Sequence, residues 1–198
     1  MVGSFSENNL AYEMKRKVDR ELAESIYEAS AGTLPMAMIN FGTGAGPLSC
    51  LPLDWGAIVP LRFMPDVSIV VITPSRELSF DAHLALGETI NDVAQKSNKR
   101  IGLIASCDWS HTHDESGPYG FNKAAKPLDQ EVVQLIRADN LEGLAQLDEN
   151  YIEAAKPDGI WQSLILAGAI GKKDRKSEFL SYEAPTYFGL LCAAYYQK

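Results

Sequence analysis

Two apolar runs, the first of them β-branched, narrow the folds open to this chain. VSIVVIT at 67–73 and RIGLIAS at 100–106 show no apolar/polar alternation. Such runs suit strands buried on both faces, not strands with one face in water. Between them, SFDAHLALGETINDVAQKS reads as a helix, with Ser79 or Asp81 near its start. Strands alternating with helices predict an α/β fold: a single domain over 1–198, with a mostly parallel central sheet covered by helices on both faces.

The flanking segments are read in the same way. Asn8-Asn9 can cap a helix reaching about Ala31, along which Leu10, Met14, Val18, Leu22, Ile26 and Ala29 keep helical spacing before Gly32 stops it. PMAMINF reads as a strand. The glycine-rich GTGAGPLSC after it lacks the Lys-Ser/Thr that closes a phosphate loop, so a plain loop is expected there. Pro127 sits near the first turn of a helix in PLDQEVVQLIRADN. LEGLAQL and DENYIEAA read as two short helices and GIWQSLILAGAIG as an apolar one. SEFLSYEAPTYFGLLCAAYYQ closes the chain as one or two strands.

Charge and cysteine usage exclude several classes of partner. The net charge is −8, and no basic stripe offsets it, which speaks against nucleic acid and anionic membrane surfaces. The basic runs KRK at 15–17 and KKDRK at 172–176 are short, and a solvated face or loop accounts for them. Cys50, Cys107 and Cys192 are far apart with no CxxC, as expected of a reducing cytoplasm and not of a cysteine-built zinc site. No signal-peptide core and no membrane-length apolar run is present in the sequence, so a cytoplasmic location is expected.

The polar stretch ASCDWSHTHDESGPYGF begins where the second apolar run ends. Ligands of α/β sheets bind beyond the carboxyl ends of the strands, which makes this loop the place to look for a site. His111, flanked by Asp108 and Ser110, is the better acid/base candidate; His113, two residues on, is in a position to be solvated. Other readings of the same residues are a loop with two incidental histidines, an HxH metal pair, or a triad with Ser106 or Ser110, although no GxSxG elbow is present. His83 lies inside a helix beside Leu84 and Leu86, a setting usual for a core or boundary histidine.

Four segments taken in order resemble the class III extradiol ring-cleavage dioxygenases. LPLDWGAIVPLRF resembles a segment that reads LDHG followed by VPL in that family. HLALGETI resembles its helix with a histidine followed by a Leu-Gly pair. IGLIASCDWSH resembles a strand ending in ASGDLSH, and the chain from LEGLAQL to LSYEAPTYFGLL resembles the C-terminal part with its SYE-x-P segment. The order and spacing hold from about Gly3 to Tyr196.

The resemblance implies a mostly parallel α/β fold. It implies non-haem Fe(II) held by two histidines and a carboxylate, with open positions for a catechol-type substrate and O₂. It assigns His111 as the acid/base histidine and His83 as a histidine behind the metal, both facing one cavity. Asp54, Trp55, Ser106 and Ser110 are expected in or beside that cavity. The metal set is degenerate by the same comparison. Trp55 stands where the family has a ligand histidine, and an indole has no lone pair to offer. The family's other histidine ligand lies in an early Pro-His segment, and no histidine here precedes His83. Asp158 is the nearest match to the carboxylate ligand, with a helix N-cap as its other reading. The expectation is a family member with weak or no ring cleavage, binding an aromatic small molecule or serving as a structural or regulatory subunit. The alternative is an active Fe(II) enzyme using His111. Trp55 is expected to be buried in the vacated metal position, and a homo-oligomer, most simply a dimer, is expected.

Overall fold

The computed structural model describes residues 1–7, 10–39 and 50–198. The chain groups into two compact units, Met1–Thr73 with Val93–Arg100, and Pro74–Asp92 with Ile101–Lys198.

In the first unit the chain opens as a hairpin, β1 (Val2–Glu7) against β2 (Leu10–Lys15), antiparallel with Val2 opposite Lys15. The expected helix from Asn8 therefore starts much later. Its capping pair lies outside the described residues, and Leu10 and Met14 belong to a strand. Helix α1 (Arg20–Ser30) begins at Asp19, whose carboxylate accepts from Leu22 N–H at 3.1 Å. Gly32 at φ +81° follows its end, a left-handed position that glycine enters at little cost. Asp54 likewise caps the short α2 (Trp55–Leu61) by accepting from Ala57 N–H at 3.1 Å. Met14, Leu53, Ile58 and Leu61 form the small core of this unit. Gly3 lets β1 reach it, because a Cβ there would stand 2.1 Å from the Leu53 carbonyl.

The second unit holds most of the helices and the larger core. Helix α3 (Phe80–Lys96) contributes its residues up to Asp92 and starts where Ser79 Oγ accepts from Ala82 N–H at 3.3 Å. Helix α4 (Ala125–Arg137) carries Pro127 in its first turn, and its stripe of Leu128, Val132 and Ile136 is buried. A 3-10 turn (Leu141–Gln146), α5 (Glu149–Ala155) and α6 (Ile160–Ala169) follow. Around them Trp109, Leu144, Ile160, Trp161 and Leu164 complete one core. Helices α3 and α6 cross so closely that a Cβ on Gly87 would lie 2.1 Å from the Ile165 carbonyl, and one on Gly168 2.0 Å from that of Leu84. Strands β3 (Arg175–Glu183) and β4 (Leu190–Gln197) close the chain as an antiparallel pair, with a register shift between Phe179 and Ser181.

Mixed helix and strand content is as expected, but the expected parallel central sheet is corrected. The ladders among the described residues are the two antiparallel pairs. Residues 67–73 and 101–106 form no strand, and parallel pairing is limited to single bridges, Val2 with Pro52 and Val18 with Ile69. Nor are these runs buried on both faces, since Val67, Val71, Leu103 and Ile104 are all exposed. A β-branched run dictates an extended backbone locally, whereas a parallel ladder needs a partner from a distant part of the chain. The glycine-rich segment at 42–49, and the last residues of the strand expected in PMAMINF, lie outside the described residues.

Candidate functional site

The polar stretch is held in the second unit by backbone hydrogen bonds on two sides. Trp109 N–H donates to Gly189 O at 2.9 Å and His113 N–H to Tyr187 O at 3.0 Å. Toward the other flank, His111 N–H donates to Ala155 O at 2.8 Å, and Asp108 O accepts from Asp158 N–H at 3.1 Å. Residues 108–113 are thus fixed between the end of α5 and the loop that enters β4. Trp109, Ser110 and Thr112 are buried, while His111 and His113 keep 18% and 14% of their side chains exposed. The histidines are neither free loop ornaments nor sealed core residues.

His111 is oriented through its Nδ1, which lies 3.0 Å from the Lys156 carbonyl oxygen. Lys156 adopts φ 52° and ψ 52° as the residue that ends α5, which turns its carbonyl toward the ring. A carbonyl can only accept, so Nδ1 carries the proton and Nε2 keeps the lone pair. Asp108 Oδ2 lies 3.8 Å from that Nε2. Burial raises the Asp108 pKa and nearby Asp158 raises it further, while His111 pulls it down; the net shift is upward. Three aromatic rings surround the imidazole: Phe188 stacked at 5.7 Å, Tyr187 tilted at 6.0 Å and Tyr119 edge-on at 6.3 Å. Gly117 makes room for this arrangement, since a Cβ there would stand 2.5 Å from the Tyr187 Cβ and 2.7 Å from its ring at Cγ.

His113 is not solvated as the sequence suggested. Its Nε2 lies 2.8 Å from Oδ2 of Asp129, a carboxylate that is 1% exposed. The same oxygen accepts from Tyr182 Oη at 2.6 Å, and Oδ1 accepts from Ser110 N–H at 3.0 Å and Ser110 Oγ at 2.5 Å. Burial raises the Tyr182 pKa, and its hydrogen bond to Asp129 and the charge there raise it further, so the phenol stays a donor. Ser110 is fully buried and committed to Asp129. It has no bond to His111 and no access for a substrate, which removes a hydrolytic triad built on Ser110.

Asp129 and Tyr182 were missed by sequence reasoning. For Asp129 a signal existed: it falls in helical phase with Ala125, Val132 and Ile136, so an acid sits on the apolar stripe of α4. For Tyr182 none existed beyond its place in the Ser-Tyr-Glu segment, because the contact joins β3 to a helix 53 residues earlier.

The remaining expected residues are each held by other partners. His83 is 2% exposed; its Nδ1 lies 2.8 Å from the Ser79 carbonyl and its buried Nε2 has no partner among the described residues. Asp158 is not the N-cap of α6, whose N-terminus has no side-chain cap; its carboxylate pairs with Arg76 and accepts from Gln162 Nε2 at 3.3 Å. Ser106 offers its carbonyl to Gln162 Nε2 at 3.5 Å. Burial, followed by the charges of Asp158 and Asp108, pushes the Cys107 thiol up to about 12, so it is no thiolate ligand. In the first unit, Asp54 is spent on capping α2, and Trp55 is 49% exposed instead of buried, because as the first residue of that helix it stands at a solvent-facing end.

The donor set for iron can be tested on these contacts. Two histidines have one nitrogen committed to a carbonyl, the third to a buried carboxylate, and Asp158 is neutralised by Arg76. Among the described residues no three His, Cys, Asp or Glu side chains are grouped to hold a metal ion. The residues present do not fit the two-histidine, one-carboxylate centre. No described helix is long and apolar enough to cross a membrane.

Comparison with known proteins agrees with the motifs. The chain is similar to Protein CA_C1420 of Clostridium acetobutylicum, 30% identical over 175 residues, which cover 86% of this chain and 37% of that protein. It thus spans little more than a third of that relative's length. The family model of the catalytic LigB subunit of aromatic ring-opening dioxygenases matches residues 2–190. With the motif order running through nearly the whole chain and the Ser-His pair held in an aromatic setting, this protein belongs to the LigB family of aromatic ring-opening dioxygenases.

Proposed function

We propose that this chain binds a hydroxylated aromatic small molecule at His111 and has weak or no ring-cleavage activity of its own, acting as a small-molecule binder or as a structural or regulatory subunit. One observation carries the reading: an imidazole whose Nδ1 is fixed by the Lys156 carbonyl, whose Nε2 is left basic, and which stands among Phe188, Tyr187 and Tyr119. Aromatic walls suit a planar ring, and a basic nitrogen suits a phenolic proton. The family match from 2 to 190 supports reading 1–198 as one LigB-like domain. Donors already committed to carbonyls, to Asp129 and to Arg76 support a degenerate metal site.

The test is titration of catechol and protocatechuate into the unmodified protein and into His111→Gln, followed by calorimetry. Binding that His111→Gln abolishes is the expected result; equal binding by both proteins sinks the proposal. Anaerobic iron loading and metal analysis test the degenerate site. One Fe(II) per chain retained through desalting would overturn it.

Family membership favours a second reading, an active Fe(II) extradiol dioxygenase with His111 as acid/base. It needs iron bound in an unusual way, or a missing ligand supplied by a second chain. Iron-dependent O₂ uptake with catechol, abolished by chelator, would establish it. A homodimer is part of the proposal, supported by Leu180, Leu190 and Tyr196 exposed on the β3–β4 hairpin. A monomer mass at micromolar concentration would refute it. The three free, well-separated cysteines support a cytoplasmic location.

A further inference from the structure

We infer that His113 is a second acid/base group of this site, held by Asp129 in the tautomer opposite to that of His111. The inference rests on the proposed binding of a hydroxylated aromatic and adds a residue to it. The tautomers follow from the acceptors. His111 gives its Nδ1 proton to the Lys156 carbonyl and keeps a lone pair on Nε2. His113 gives its Nε2 proton to the Asp129 carboxylate and keeps its lone pair on Nδ1. Two histidines separated by one residue therefore present different nitrogens as bases.

The device that sets His113 is built, not incidental. Asp129 is 1% exposed, and its oxygens also take Ser110 N–H, Ser110 Oγ and Tyr182 Oη. Gly189 packs against the same carboxylate, where a Cβ would lie 2.2 Å from Oδ2. The carboxylate has neither room nor a spare partner for turning away from the imidazole. A buried carboxylate that fixes the tautomer and orientation of a partly exposed imidazole, and stabilises the imidazolium once formed, is an established way to make a histidine a base. Asp129 and Tyr182 are positioning residues here. In the step itself, an aromatic O–H gives its proton to His113 Nδ1; the oxygen keeps the electron pair, and the imidazolium is paired with Asp129. A ligand with two adjacent hydroxyls has a second proton, for His111 Nε2.

Long-range proton–nitrogen correlation on the ¹⁵N-labelled full chain reads both tautomers directly, without any variant. The expected spectrum has the unprotonated nitrogen at Nε2 in His111 and at Nδ1 in His113; the same tautomer in both, or an exchanging mixture at His113, overturns the inference. Asp129→Asn is expected to turn His113 into such a mixture while His111 is unchanged. The second arm uses 4-nitrocatechol, whose absorption shifts to the red on ionisation. Bound probe should appear ionised at a pH where free probe is not, and at saturating probe His113→Gln should lose part of that red-shifted band, the remainder belonging to the proton that His111 takes. An undiminished band in His113→Gln overturns the acid/base role. If the unmodified protein binds no 4-nitrocatechol, the proposed function fails, and the tautomer arm alone decides whether Asp129 sets His113.

Discussion

The second unit buries charge in two places, and they are built for different ends. Around Arg175, a fully buried guanidinium donates to Asp139 Oδ1 at 2.5 Å, to Glu142 at 2.8 and 2.9 Å, and to the carbonyls of Ile170 and Asp139 at 3.1 and 3.0 Å. Every nitrogen of that side chain has a partner, and none is left for a ligand. Around Asp129 the carboxylate is just as completely satisfied, yet its partner His113 remains partly exposed and keeps one ring nitrogen uncommitted. Both are hydrogen-bonded buried charges; only one has an edge that reaches solvent. A buried charge by itself says nothing of function, and the informative feature is a basic atom left over after the structural bonds are counted.

Removing the closed centre should have the largest effect. Arg175→Ala empties a buried site and leaves Asp139 and Glu142, which reach solvent, without their cation; the expected loss is about 2–5 kcal/mol in denaturant unfolding, with the nitrogen shifts of His111 and His113 unchanged. Shifts that move with it would show that the centres are coupled and break the comparison. Next comes Gly189→Ala, which places a methyl against Asp129. The expected cost is about 1–3 kcal/mol, and here the His113 shifts should move.

The acid side of the stability curve sharpens the contrast. Burial alone would raise the Glu142 pKa, but the hydrogen bonds and charge of Arg175 override it and hold the carboxyl below its usual value. A depressed folded pKa means stability that is present above the unfolded carboxylate pKa and lost as pH falls through the folded one. Unfolding followed from neutral to acid pH should show that loss in the unmodified protein. Arg175→Met should flatten it; an unchanged acid limb would show that the pair contributes nothing there. The smallest effect belongs to Trp55→His. With the indole half exposed, the cost should be about 1 kcal/mol or less by thermal unfolding, well under that of truncating a buried ring, and no catechol cleavage should appear with added Fe(II).

How far the sequence could be read depended on the range of each interaction. Helices α3, α4 and α6 were legible because apolar spacing, Ser79 and Pro127 act within a turn or two of chain. The N-terminal hairpin was not, since Leu10, Met14 and Val18 satisfy a helical spacing while the ladder with Val2–Glu7 claims the first two. KKDRK reads as a solvated run, yet Arg175 is fully buried, because its partners lie 33 and 36 residues earlier. His111 could be found through the Ser-His pair. His113 could be listed, but its role depended on Asp129, and Asp129 matters only once α4 is packed against residues 108–113.

The sequence by itself determined helices α3, α4 and α6, the family and the kinds of chemical group available, because local torsions, short-range hydrogen bonds and motif order are written along the chain. The tertiary structure alone decided which nitrogen of each histidine is basic, that Trp55 faces solvent and that Ser110 does not. Each of those depends on which acceptor or which wall a distant segment brings to a few ångströms, and burial and hydrogen-bond partnership are properties of that packing, not of any residue taken alone.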